Sequence, residues 1–426
     1  MTEQVNVPKL RFEEFSENWQ AIELGELMNF KNGINASKEQ YGRGVKFINV
    51  LDIIENDYIT YDRIVGSVDV EDKEFEKNIV EYGDILFQRS SETREEVGQA
   101  NVYLDKKKVA TFGGFVIRGK KVGNFDSVCM NYLLKTDKAR KEVTTKSGGS
   151  TRYNVGQATL SAVNIDLPPC IPEQQKIASF LSKVDEKIAL LSEKKDKLTE
   201  YKKGVMQQLF DGKFQEQDGK LVFVPPTLRF KADDGSEFPD WVEKTLGDVS
   251  EPPSYGLNSA ATKYDGVNKY IRITDIDEDD RSFSPSPLTS PEEVNDAYLL
   301  EEGDIVFART GASVGKSYLY NKDDGRLMFA GFLIKFSVSK ANPKFISYQM
   351  TTSQYEHWVK VMSVRSGQPG INAQEYSTYS LNIPCTEEQE QIANFLSALD
   401  HKIDLLSSEL EKAKEWKKGL LQQMFV

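Results

Sequence analysis

The sequence predicts an α+β chain: two mixed α/β heads joined by two long helices that pair as an antiparallel coiled coil, with an internal pseudo-twofold repeat. Three observations predict it. Residues 170–210 align without a gap on residues 385–425, with 22 of 41 positions identical. Both segments carry apolar residues at alternating spacings of four and three, the heptad signature of a coiled-coil seam. Short runs rich in β-branched and aromatic residues, bounded by Gly, Asp and Asn, recur ahead of each helix and read as strands.

The repeat extends through the heads. Pro8-Lys9-Leu10-Arg11-Phe12 returns as Pro226-Thr227-Leu228-Arg229-Phe230, and Trp19 with Leu24-Gly25-Glu26 returns as Trp241 with Leu246-Gly247-Asp248. Gly83-Asp84-Ile85-Leu86-Phe87-Gln88-Arg89 matches Gly303-Asp304-Ile305-Val306-Phe307-Ala308-Arg309, and Phe112-Gly113-Gly114-Phe115 matches Phe329-Ala330-Gly331-Phe332. The division is a first head over 1–169, a helix over 170–212, a polar, turn-rich connector over 213–225, a second head over 226–384 and a final helix over 385–426. Strands are expected at 47–53, 83–89, 110–117, 270–276, 303–309 and 328–336. One helix per head is expected, within 125–143 and 342–362. The offset between copies wanders, which places insertions and deletions in loops.

The first seam is Ile177, Leu181, Val184, Ile188, Leu191, Lys195, Leu198, Lys202, Val205 and Leu209. The second is Ile392, Leu396, Leu399, Ile403, Leu406, Leu410, Ala413, Lys417, Leu420 and Met424. Some 38 residues at 1.5 Å each make a rod of roughly 57 Å. Two matching seams in one chain favour an intramolecular antiparallel pair over a zipper between two chains. Such a rod is a spacer.

Composition narrows the function classes. The chain has 426 residues, too many for one core. No apolar run approaches a membrane span and the first residues are no secretory signal, so the cytoplasm is the expected location. Cys129, Cys170 and Cys385 are too scattered for disulfides or paired zinc ligands, and His357 and His401 are the only histidines. No metal site is expected. Gly311 to Ser317 looks like a phosphate loop but has three residues between its glycines where four are needed, and the first copy has no lysine there. No Pro-Pro pair sits in an adenine-methyltransferase motif. No catalytic apparatus is therefore expected in this chain. The net charge is −12, yet residues 104–121 carry six Lys or Arg against one acid and residues 136–153 five against two. Among Ser, Thr, Asn and Gly, such clusters read as a nucleic-acid surface.

The two LRF…W…LG openings, the two Gly-Asp-Ile-x-Phe-x-Arg strands and the two Glu-Gln-x-x-Ile-Ala-x-Phe-Leu-Ser helices from Glu173 and Glu388 resemble the specificity subunits of type I restriction-modification enzymes. The resemblance covers nearly the whole chain. It implies two target-recognition domains, each reading one half of an asymmetric bipartite site in double-stranded DNA, with the helices setting the gap. It further implies two methyltransferase subunits bound to this chain, with restriction subunits in the full complex. S-adenosylmethionine, Mg and ATP are then expected on those partners and no cofactor on this chain. The rival is a coiled-coil scaffold joining two protein-binding heads.

Features common to both copies cannot distinguish two different half-sites. The Gly-Asp-Ile strands, Arg89, Arg309 and the helices are therefore expected to be scaffold, phosphate contact or docking surface, and the divergent loops are expected to read bases. Candidate DNA contacts in the first head are Arg89, Ser90, Ser91, Thr93, Arg94, Lys106, Lys107, Lys108, Arg118, Lys146, Arg152 and Asn154. Those in the second are Arg309, Thr310, Ser313, Lys316, Lys360, Arg365, Gln368 and Asn372.

Overall fold

The computed structural model describes residues 7–149, 151–217 and 220–425. They divide into two compact units, Met1–Glu193 with Ser408–Val426, and Lys194–Ser407. Each unit holds one head, about half of the first long helix and about half of the second.

In the first head a four-stranded antiparallel sheet runs in the order Met28–Asn32, Val116–Lys121, Ile85–Gln88, Ala100–Val102. The second head repeats it as Ser254–Tyr255, Leu333–Ser337, Asp304–Ala308, Ser317–Leu319. Strand side chains alternate between faces, and here both faces are covered. Ile85 and Phe87 join the core beneath the helices while Leu86 packs with Ile48 and Phe112 on the other side. Ile305 and Phe307 divide from Val306 and Ala308 in the same way. This explains the unbroken apolar run after each Gly-Asp. The motif itself is a turn: Gly83 and Gly303 have φ of +95° and +94°, which an L side chain rarely adopts. The buried Asp84 and Asp304 each accept the backbone N–H three residues earlier, from Glu81 at 3.1 Å and Glu301 at 2.8 Å.

Each head closes on itself. Gln20–Glu23 pairs antiparallel with Asn164–Leu167, and Val242–Thr245 with Ser380–Ile383, so the chain enters and leaves a head side by side. The neighbouring sheet edges approach closely at two glycines. A Cβ on Gly256 would lie 2.1 Å from the Ala330 carbonyl oxygen, and one on Gly33 2.2 Å from that of Gly113. Because backbone must move to relieve either clash, Gly256→Ala should cost about 1–3 kcal/mol, read as a lower urea midpoint for the second unit.

Several local expectations need correction. The single strands expected at 110–117 and 328–336 are each two, Thr111–Phe112 with Val116–Lys121 and Leu327–Phe329 with Leu333–Ser337. The strand expected at 47–53 ends at Ile48, because Asp52 accepts the Asn49 N–H at 2.7 Å and starts the helix Val50–Ile54. Its counterpart at 270–276 breaks into a 3-10 turn, Ile273–Asp275. The single helix expected in each head is two. Thr136 Oγ1 donates to the Leu133 carbonyl at 2.7 Å while accepting the Ala139 N–H, ending Ser127–Leu134 and starting Asp137–Lys146. Thr352 does the same between Pro343–Gln349 and Ser353–Met362. The connector contains a β-hairpin, Lys213–Gln217 with Lys220–Val224.

The long helices span Ile171–Phe210 and Thr386–Met424. In the first unit the start of the first helix meets the end of the second: Ile177, Leu181 and Val184 share a core with Leu420, Met424 and Phe425. In the second unit Leu209, with Leu198 and Val205 against it, shares a core with Ile392, Leu396 and Leu399. Start against end is antiparallel pairing. Leu406 and Leu410 are also buried, and Ile188, Leu191 and Ile403 are half-buried. Two of the lysines in the seams find carboxylates. Lys417 pairs with Asp185 at 2.6 Å, and Asp185 also accepts the Tyr132 hydroxyl at 2.5 Å. Lys202 pairs with Asp400, which accepts the Tyr348 hydroxyl at 2.6 Å. These polar pairs inside an apolar seam fix its register. Among the described residues no helix is long and apolar enough to cross a membrane.

Candidate nucleic-acid interface

Both heads gather their divergent loops at the same end of the central sheet. Where the central strand ends, the Arg89 N–H donates to the Phe115 carbonyl at 2.9 Å and its carbonyl accepts the Val155 N–H at 3.0 Å. Arg309 repeats this with Phe332 at 3.1 Å and Ile371 at 3.0 Å. Two loops distant in sequence are thereby stitched together. Ser90 and Ser91 pair with Asn154 and Tyr153, and Thr310 bridges to Gly370 while the Gly311 N–H reaches the Pro369 carbonyl at 3.0 Å.

Around the first junction, the exposed Arg94 donates from Nε to the Thr144 carbonyl at 3.1 Å, Lys146 pairs with Glu142 at 3.3 Å, and Arg152 approaches Glu92 to 3.9 Å. The Thr93 N–H leans on the Ser91 hydroxyl, which itself donates to Glu96 at 2.8 Å. A cleft of about 410 Å³ opens here, lined by Val50, Gln88, Ser90, Ser91, Glu92, Glu96, Phe115 and Arg152. Around the second, the side chain of Gln368 abuts Gly311. Arg365 grips Glu375 through two bonds of 2.6 and 2.7 Å, and Lys316 pairs with Glu278 at 2.6 Å beside Ser313. Lys360 stands exposed on the helix Ser353–Met362.

Some candidates are placed elsewhere. Arg118 is 7% exposed, with Nη1 donating to the Ile79 carbonyl and Nε 4.0 Å from Asp84. It is the counterpart of Lys335, which stands 3.3 Å from Asp304, so both cations compensate the buried carboxylate of the Gly-Asp turn. Arg118 is therefore withdrawn as a DNA contact. Burial raises the Asp84 carboxyl pKa above its ordinary range, against the nearby N–H groups and Arg118 that lower it. Lys106, Lys107 and Lys108 follow Val102, whose partner is Ile85, so they lie at the opposite end of the central strand from Ser90. There Lys108 pairs with Asp62 at 2.8 Å and stacks on Tyr61, and Lys106 lies over Tyr82. Asn372 caps the helix Ala373–Ser377, its side chain accepting the Glu375 N–H at 2.9 Å, so that oxygen is already engaged.

The larger cleft lies in the second head, where the sequence offered the thinner basic set. It encloses about 800 Å³, and Tyr255, Arg272, Thr274, Arg309 and Phe332 are among its walls. The Arg309 guanidinium lies 5.1 Å from the Tyr255 ring centre and 5.9 Å from that of Phe332. Its Nε is buried and has no hydrogen-bond partner among the described residues. Leaving such a donor unpaired costs about 1–3 kcal/mol, a penalty a bound acceptor would remove. Arg272 is held by the buried Asp275 through Nε at 2.8 Å and Nη2 at 2.7 Å, and those hydrogen bonds raise its pKa further. Sequence reasoning missed Arg272 and the exposed Phe115 and Phe332. The signal for Arg272 was available, since Asn49 occupies its place in the first copy.

A model of the type I restriction modification DNA specificity domain matches residues 16–200 and again 239–415. The chain is similar over its length to two type I restriction enzyme specificity subunits of Methanocaldococcus jannaschii. It is 23% identical to MjaX, covering 98% of this chain and 95% of that one, and 23% identical to MjaVIII, covering 95% and 91%. In fold it is similar to the S subunit of a type I restriction-modification system from M. genitalium, with a TM-score of 0.59 at 17% identity over 99% of both chains. With both heads and most of both helices matched, the chain belongs to the type I restriction-modification DNA specificity family and carries its domain twice.

Proposed function

We propose that each head reads one half of an asymmetric, bipartite DNA target, and that the paired helices set the spacing between halves and dock two methyltransferase subunits. The chain performs no chemistry itself. S-adenosylmethionine sits on the methyltransferase partners, Mg and ATP on the partners of the full complex that includes restriction subunits, and the assembly works in the cytoplasm.

The observation that carries this reading is the pair of loop clusters at the same end of each sheet, built on identical strand order and identical Arg stitching yet differing in sequence. Shared backbone geometry with divergent loops is what two readers of two sequences require. The net charge of −12 fits a chain whose partners supply much of the phosphate neutralisation.

The test is a head exchange. Residues 20–168 leave and re-enter the fold through one antiparallel pair, Gln20 opposite Leu167. Replacing them with another family member's head should change one half of the methylated sequence and leave the other half intact. Methylome sequencing of cells carrying the chimaera and its methyltransferase reads the outcome, and a change in both halves or in neither refutes the assignment.

A further inference from the structure

We propose that Arg272 is a specificity-determining residue of the second head that reads a guanine through its major-groove edge; this rests on the half-site reading above. Asp275, whose side chain is 1% exposed, takes Nε and one Nη2 proton of Arg272. What remains is Nη1 and the second Nη2 proton, a pair of parallel donors to which no described residue is bonded. Two such donors fit the adjacent O6 and N7 acceptors of guanine. The carboxylate also neutralises the guanidinium, which makes this residue a poor phosphate clamp and a rigid fork. Arg309, in the same cleft, has no carboxylate partner among the described residues and its equivalent Arg89 exists in the first head, so it takes the backbone role.

Repeat comparison supplies the second argument. The carboxylate is common to both heads: Asp52 accepts the Asn49 N–H at 2.7 Å as Asp275 accepts the Arg272 N–H at 2.9 Å. Only the residue it carries differs, Asn in one head and Arg in the other. A fixed mount with an interchangeable side chain, opening on a cleft flanked by the exposed Tyr255 and Phe332, is the arrangement expected of a base reader.

The experiment uses the complex of this chain with its methyltransferase and duplexes carrying each base pair, or 7-deazaguanine, at every position of the second half-site. The native complex should prefer G·C at one position by about tenfold or more, and lose that preference when N7 is removed. Arg272→Asn and Arg272→Lys should bring the preference within about threefold while leaving the reading of the first half-site unchanged. Retained preference in both variants overturns the proposal. The 7-deazaguanine duplexes test the native chain directly, so a variant that fails to fold does not shield the idea: if no N7 in the second half-site matters, it falls. If head exchange still switches a half-site, only the role of Arg272 is lost; if it does not, the half-site reading fails as well.

Discussion

Glu173→Ala should destabilise the first unit by about 3–5 kcal/mol, the range for stripping one partner from a buried ion pair. Glu173 is 0% exposed in the first turn of its helix and accepts Arg11 Nε at 2.7 Å, Arg11 Nη2 at 2.9 Å and Trp19 Nε1 at 3.2 Å. Without it a guanidinium 10% exposed keeps only the Glu17 carbonyl, 2.6 Å from Nη2, and loses its counter-charge, and the Trp19 indole N–H loses its acceptor. The pair ties the opening segment of the head to the helix start. Glu388 does the same for Arg229, at 3.0 and 2.7 Å. Glu388→Ala should therefore strike the second unit equally. Urea titrations followed by separate probes in the two units show whether each substitution moves only its own unit's transition. Replacing Arg11 and Glu173 together by Met and Leu should restore most of the loss, because the cost is the orphaned charge and not the missing attraction. A double variant as unstable as Glu173→Ala would contradict this account.

Why some of this was readable from sequence and some was not follows from the range of the forces involved. The long helices announce themselves because a heptad is a local pattern, and Lys202 and Lys417 stood out as charges inside it. Their partners Asp400 and Asp185 are remote in sequence and carry no local mark. Arg118 was misplaced for the converse reason: a count of positive charges treats every Lys and Arg as solvated, whereas this one answers a buried carboxylate across the sheet. Lys106 to Lys108 were counted as DNA contacts on charge alone, yet they follow Val102, opposite Ile85, at the far end of the central strand from Ser90. Arg272 could have been found by holding the copies side by side at 49 and 272. Its fork to Asp275, and hence its value as a reader, depends on a side-chain geometry that spacing alone does not specify.

Four extra residues in each long helix, between Glu193 and Lys194 and between Ser407 and Ser408, should widen the gap between half-sites by one or two base pairs. Four residues add about 6 Å of helix, against 3.4 Å per base pair. An insertion of four is a stutter, which a coiled coil absorbs by local unwinding, provided the insert is helix-forming with one Leu on the seam. Both helices must be lengthened, because an antiparallel partner left short has nothing to oppose the insert. The junctions lie between the two compact units, so the Lys417–Asp185 and Lys202–Asp400 pairs keep their surroundings. Distance is only half of the requirement. Each added base pair also turns the far half-site by about 34–36° around the duplex, while the supercoil turns only slightly over 6 Å at a pitch of about 150 Å. The widened target should therefore be methylated, but with lower affinity than the native chain has for its own target, the difference being the work of twisting the DNA back into phase. Methylome sequencing reads the gap and competition binding reads the penalty. An unchanged gap in an active, folded variant would mean that the helices dock partners without measuring distance.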